Sequence, residues 1–398
     1  MKRVLFVDDE VAVLDGLRDR LRKHRREWEM VFALGGEAAL AECQKAPFHV
    51  VVSDMRMPKM DGATLLHRIR ESYPGSVRIV LSGHAERQAV LRALPVAHQY
   101  LSKPCDADTL RGVIARACTL QEMMGSDALR SLVGRVERLP SVSEIYSELT
   151  QVLAREAPSI DDVVQVVERD PAMCLKILQV VNSAFFGLPR RVSAMREAIS
   201  YLGIEPLKAL VVATQIFSAA EGQRGLSAEF LARVQQHSAL VARLARAVAP
   251  THAEDAFMAG MLHDVGHILL ALADPESRTS VPETAKARAV PAYVVERERL
   301  GVTHADVGAY VLGTWGVPFP VVEAVAGHHE PARMGSSSLD AITAVHVAEA
   351  LVREGEGEAG SPGGTSLLDT AHLDRLGLRK QVEPWREIAL RLRDQRQG

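Results

Sequence analysis

The sequence predicts two unlike folds in one chain: a doubly wound, five-stranded α/β sheet over 1–121 and an all-α region over 139–353. Three observations carry this prediction. Short β-branched runs alternate with helical patterns as far as about residue 121, the mark of a parallel sheet covered on both faces. From Leu139 to about Glu354 there are only helical periods and loops. Histidines are concentrated there too: none lies in 131–236, and eight lie in 237–346.

The elements follow in order. Strands are expected at 4–7, 30–33, 49–53, 77–81 and 99–101. Between them Leu14, Leu17 and Leu21 mark one helix, Leu65, Leu66 and Ile69 another, and Leu110, Val113, Ile114 and Ala117 the last. Residues 122–138 read as an Arg-rich helical linker broken at Gly125 and Ser126. The all-α region, with its core reaching about 338, is punctuated by prolines near helix ends. Asp161-Asp162 and Asp170-Pro171 read as N-caps there. Residues 354–366 form a flexible acidic linker, and 367–398 an amphipathic helical tail that packs on the helical domain or on a second copy.

Composition bounds the function. The chain has 398 residues, 47% hydrophobic and 24% charged, which excludes wholesale disorder. A net charge of −3, with no helix-turn-helix or basic stripe after 131, argues against direct nucleic-acid binding. No apolar run reaches the roughly 18 residues a membrane span needs, and acids at Asp8 and Asp9 come too early for a signal peptide. Cys43, Cys105, Cys118 and Cys174 are widely spaced, as free thiols in a reducing cytoplasm would be.

In a parallel sheet, ligands bind beyond the carboxyl ends of the strands. Asp8, Asp9, Asp54, Ser82 and Lys103 all fall at such ends. Three close carboxylates repel one another unless a cation neutralises them, and a small set of oxygen ligands suits Mg²⁺. A central carboxylate nucleophile beside a hard metal, an ammonium and a hydroxyl suits phosphoryl transfer. Singly, each acid is as well read as a solvated strand end; the set of five is not.

The runs Val-Asp8-Asp9-Glu, Asp54-Met-Arg-Met-Pro58-Lys-Met-Asp61-Gly62, Leu-Ser82-Gly and Tyr100-Leu-Ser-Lys103-Pro104 resemble the receiver domain of bacterial two-component response regulators, a flavodoxin-like fold. The resemblance implies that Asp54 is phosphorylated by a histidine kinase or phosphotransfer protein. It implies that Asp8, Asp9, Asp54 and the Arg56 backbone carbonyl bind Mg²⁺, that Lys103 pairs with the phosphoryl group, and that Ser82 and Tyr100 form a switch pair.

In the helical region His237 opens an amphipathic helix with Leu240, Val241 and Leu244. His263-Asp264 follows, with His267 four residues on, which would set two imidazoles on one helix face. His304 after Glu298, His328-His329, and Glu349 beside His346 complete the set. Imidazoles and carboxylates suit borderline divalent metals, and a metal so held activates water against phosphoesters. The bland reading is a set of hydrogen-bonded core histidines.

Leu139-Pro-Ser-Val, Arg169-Asp-Pro-Ala-Met173, Val181-Asn182-Ser183-Ala-Phe-Phe-Gly187, Ala198-Ile-Ser-Tyr-Leu-Gly203 and Trp315-Gly-Val-Pro318 resemble the HDOD domain, a relative of HD phosphohydrolases. That family is regulatory and usually lacks a complete metal site. Here His237, His263, Asp264, His304, His328 or His329, and Glu349 match positions of the HD and HD-GYP patterns. His267 stands where HD-GYP proteins have Lys, and Pro-Ala-Arg-Met-Gly follows Glu330 in place of Gly-Tyr-Pro. The leading expectation is therefore a cytoplasmic response regulator. Its helical domain would act as a protein-interaction or ligand-sensing module, with an unnamed downstream protein partner and pairing of two copies left open. The alternative is a receiver-gated metal phosphohydrolase acting on a nucleotide second messenger, with a divalent transition metal in the helical domain.

Overall fold

The computed structural model describes residues 1–83, 96–124, 130–131, 133, 143–155, 157–182, 188, 190–214, 226–355 and 367–394. The chain divides into two compact units, one of 1–137 with 179–191 and 313–316, the other of 138–178, 192–312 and 317–398. Most of the 122–138 linker, the Leu139-Pro-Ser-Val and Ser183–Gly187 runs, and 356–366 lie outside the described residues.

The amino-terminal unit holds a five-stranded, all-parallel sheet in the order β2-β1-β3-β4-β5. Its strands are β1 (Lys2–Asp8), β2 (Trp28–Leu34), β3 (Val50–Asp54), β4 (Val77–Gly83) and β5 (Gln99–Lys103). Val4, Leu5, Phe6, Val50, Val51, Ile79 and Val80 are all inaccessible to solvent. Consecutive rather than alternate burial means that both faces of the sheet are covered. The described helices on it are α1 (Val11–Arg20), α2 (Gly36–Lys45), α3 (Gly62–Ser72) and α4 (Ala107–Met123). Asp61 caps α3 by accepting from the Thr64 amide at 2.8 Å, and Asp106 caps α4 by accepting from the Thr109 amide at 2.8 Å. Cβ at Gly62 would stand 2.2 Å from the Asp54 carbonyl oxygen, so only glycine lets α3 start this close to β3.

A buried arginine closes the opposite end of this sheet. Arg78 donates to the Val96, Pro74 and Ser76 carbonyls at 2.7, 3.2 and 3.0 Å. Its backbone amide donates to His98 Nδ1 at 3.0 Å.

The second unit is built of helices joined by loops, with no strand among its described residues. Helix 160–167 is capped by Ser159, whose Oγ accepts from the Asp162 amide at 3.0 Å; Asp161 and Asp162 lie inside its first turn rather than at the cap. Asp170 does cap the next helix, accepting from the Met173 amide at 3.0 Å. The long helix Ala228–Val248 packs on Ala253–Leu262 and on Ala341–Gly355. The tail helix Val382–Asp394 lies against 228–248 and 341–355, with Trp385 buried. Contrary to the sequence expectation, Pro250–Ala273 is, by length and composition, apolar enough to cross a membrane, because its few polar residues are spread among apolar ones. Of its apolar window, 83% is buried in the protein, as in a core helix. All four cysteines are free thiols.

Candidate functional site

The parallel register delivers the acids and the lysine to one sheet edge. Asp54 ends β3 opposite Leu81, and Lys103 ends β5 opposite Gly83. Lys103 Nζ donates to Asp8 Oδ2 at 2.8 Å and pairs with Asp54 Oδ1. The Arg56 amide donates to Asp54 Oδ2 at 2.6 Å, and the Glu10 amide to Asp8 Oδ1 at 3.0 Å. Asp8 and Asp54 are buried, whereas Asp9 is exposed beside them. Burial pushes the Asp54 carboxyl up, against the pull of Lys103. Desolvation works against the Lys103 charge, yet its bonds to Asp54 and Asp8 hold its pKa above the ordinary value, so it stays cationic. Oxygen donors alone meet here, which fits a hard divalent cation.

Ser82 is buried one residue past the register partner of Asp54. Tyr100 is 3% exposed, with its ring already inside the unit. Its hydroxyl has no hydrogen-bond partner among the described residues, and burial pushes its pKa well up.

In the helical unit the histidines converge in two touching groups around Asp264. In the first, Glu349 Oε2 lies 2.6 Å from His237 Nε2 and 3.1 Å from His263 Nε2. In the second, His304 Nε2 is 2.9 Å from His329 Nε2, and His328 packs against both rings. Asp264 Oδ1 faces His263, His267 and His304 Nε2 atoms at 3.4, 3.7 and 3.6 Å. Three sets of potential ligand atoms each fall within 4.8 Å: His237–His263–Glu349, Asp264–His267–His304 and His304–His328–His329.

The supporting bonds aim the rings. His263 Nδ1 donates to the Gly260 carbonyl and His328 Nδ1 to the Val325 carbonyl, both at 2.7 Å, which turns each Nε2 inward. His263 and His267 do not share one helix: Ala253–Leu262 ends before His263, and Val265–Ala273 begins after Asp264. The break sends both rings to Asp264 from consecutive helices. Cβ at Gly266 would meet the His304 carbonyl oxygen at 1.9 Å, so glycine lets these segments touch.

Asp264 Oδ1 and His328 Nε2 are buried without hydrogen-bond partners among the described residues. Such groups are costly unless something fills their valence, and their chemistry fits a divalent cation. Burial and neighbouring histidines push His267 down to about 4 and His328 to about 3, so both rings are neutral. Against their own desolvation, nearby histidines and Arg353 hold Asp264 and Glu349 well below the carboxylate range. Neutral imidazoles and ionised carboxylates are the forms that bind metal.

Glu298 is not in this site; it lies in an exposed pair with Arg288. Glu296 takes its place, 2% exposed, accepting from the His304 amide at 2.8 Å and sitting 2.7 Å from His304 Nδ1. No spacing signal marks Glu296. His346 faces away from the ligand set: Nδ1 donates to the His328 carbonyl at 2.8 Å, and Nε2 accepts from the Asp369 amide at 2.8 Å. Arg353, also unforeseen, reaches both Glu349 and Asp264; its place one turn after Glu349 was the available clue.

The receiver-domain family model of response regulators matches residues 4–115, and the HDOD domain model matches 139–331. An uncharacterized protein of Treponema pallidum is 25% identical over 241 residues, 57% of this chain and 45% of its own length. A response regulator receiver protein of Anaeromyxobacter sp. is 36% identical over 103 residues, 24% of this chain and 42% of its own. The chain spans less than half the length of these curated relatives. The crystal structure of the MmoQ response regulator from Methylococcus capsulatus is 21% identical with a TM-score of 0.47, covering 63% of this chain and 98% of that one. The chain thus joins a response regulator receiver domain to an HDOD domain.

Proposed function

We propose that this chain is a phosphorylation-switched regulator in which Asp54 accepts a phosphoryl group and the HDOD domain carries the response. The reading rests on Asp8, Asp54 and Lys103 meeting at one sheet edge. Asp54 attacks phosphorus in line. The bond from phosphorus to the donor's imidazole nitrogen breaks, the imidazole leaves, and an acyl phosphate remains on Asp54. Lys103 Nζ, poised on Asp54 and Asp8, pairs with the arriving phosphoryl oxygens. Asp8, Asp9, Asp54 and the Arg56 carbonyl would hold Mg²⁺, which when bound neutralises charge developing on the phosphoryl group. Ser82 follows the phosphoryl group. Tyr100, already inside, is the half of the pair whose buried rotamer phosphorylation would stabilise.

The donor is a histidine kinase or phosphotransfer protein, and the output is a changed protein-binding surface on the HDOD domain. The test is labelling by a small-molecule phosphodonor in Mg²⁺. Wild type should label and Asp54→Asn should not; label persisting in Asp54→Asn would refute the assignment.

A second reading is supported by the buried, unpartnered Asp264 Oδ1 and His328 Nε2. The residues His237, His263, Asp264, His304, His328, His329 and Glu349 would bind a divalent transition cation in the HDOD domain. This reading is of binding, not of turnover.

A further inference from the structure

The HDOD cluster contains a cation of its own. Arg353 stands one turn beyond Glu349 on the 341–355 helix. Its Nε pairs with Glu349 Oε1, and its Nη2 lies 3.6 Å from Asp264 Oδ2. One guanidinium therefore spans both carboxylates of the half-site built from His237, His263, Asp264 and Glu349. The third carboxylate, Glu296, lies in the other half and is engaged by His304.

A divalent cation held by His237, His263 and Glu349 would use Glu349 Oε2, the other oxygen of the carboxylate that Arg353 pairs with through Oε1, and would sit beside Asp264, whose Oδ2 faces the same guanidinium. Two like charges that close, in a buried setting, repel strongly. A guanidinium fixed on a carboxylate also withdraws the electron density a metal needs. The Arg353 side chain is 24% exposed, unlike the 2% and 5% of Glu349 and Asp264, so it alone of the three has a way out to solvent.

We propose that Arg353 is a built-in counter-cation that latches this half-site and is displaced when a divalent transition cation enters. This rests on the reading of the histidine set as a metal centre and adds to it a competition. The HDOD domain then has two exclusive arrangements, one latched by Arg353 and one loaded, with Arg353 released toward solvent. A charge-assisted bond to a carboxylate contributes enough that its loss to the latch weakens metal affinity by about tenfold or more.

The test is Co²⁺ titration of the full-length protein in excess Mg²⁺, read from the visible bands of imidazole-bound Co²⁺. The variants are Arg353→Met, Arg353→Lys and His263→Ala. Wild type should bind, His263→Ala should lose the bands, and Arg353→Met should bind about tenfold or more tightly. Arg353→Lys keeps the charge but cannot span both carboxylates. It should fall between wild type and Arg353→Met, and it stands in if Arg353→Met fails to fold. Equal affinity in wild type and Arg353→Met would overturn the latch and leave the metal centre standing. Weaker binding in Arg353→Met would also overturn it, making Arg353 an orienting group for the ligand carboxylates. No imidazole bands in any variant would remove the metal centre and the latch with it.

Discussion

Gly62→Ala tests whether the approach of α3 to β3 is what holds Asp54 in position. The added Cβ would stand 2.2 Å from the Asp54 carbonyl oxygen and 3.1 Å from the Asp54 carbonyl carbon and Met55 Cα. These are backbone atoms, pinned further by the Gly62 amide donating to the Met55 carbonyl at 2.9 Å and by Ser53 Oγ donating to the Asp54 carbonyl at 2.8 Å. The two segments would have to part by about 1.2 Å to restore ordinary contact at about 3.4 Å. Overpacking of this kind costs about 1–3 kcal/mol. The better helix propensity of alanine returns at most about 1 kcal/mol. The net loss is therefore up to about 3 kcal/mol, with a fall of several degrees in the Tm of the receiver unit. The effect on chemistry is larger, because a displacement of about 1 Å in a positioned nucleophile costs about 10²-fold in rate. Urea denaturation reads the first effect and the initial rate of phosphodonor labelling reads the second. A variant that melts and labels like wild type would refute the argument that this contact positions Asp54.

Arg78→Met leaves three carbonyls at the far end of the receiver sheet without their donor, and should cost roughly 2–5 kcal/mol in urea denaturation with no direct effect on Asp54. His98 adds a pH dependence. Burial, with Arg78 beside it, holds its folded pKa well below the ordinary 6.5. The unfolded chain therefore takes up a proton below about pH 6.5 that the folded unit refuses. Stability should fall there by as much as about 1.4 kcal/mol per pH unit, and His98→Asn should flatten that slope in denaturation at pH 7.5 against pH 5.5. His346→Leu removes the acceptor of the Asp369 amide and a donor to the His328 carbonyl. The tail over 367–394 should then be cut faster in limited proteolysis while the receiver unit melts as before; an unchanged cleavage rate would show that Trp385 packing alone retains the tail.

The amino-acid pattern already carried the fold class and the candidate phosphoryl pocket. In a parallel sheet every strand ends on the same edge, so a one-dimensional rule places Asp8, Asp54, Ser82 and Lys103 together without knowledge of packing. It also carried the ligand types of the helical cluster, because adjacent residues such as His263-Asp264 and His328-His329 advertise themselves. Which neighbours those residues keep is set by packing. His237 and Glu349 meet across 112 residues of chain, and His263 and Glu349 across 86. Helix-on-helix packing makes such contacts, and no local period encodes them. For the same reason Glu296 displaced Glu298, and His346 turned to the tail. Arg353 became visible as a partner of Asp264 only once the 341–355 helix lay against the turn at Asp264. Glycine marked two of these approaches in the sequence, at Gly62 and Gly266. A missing side chain says that something comes close, though only the fold says what.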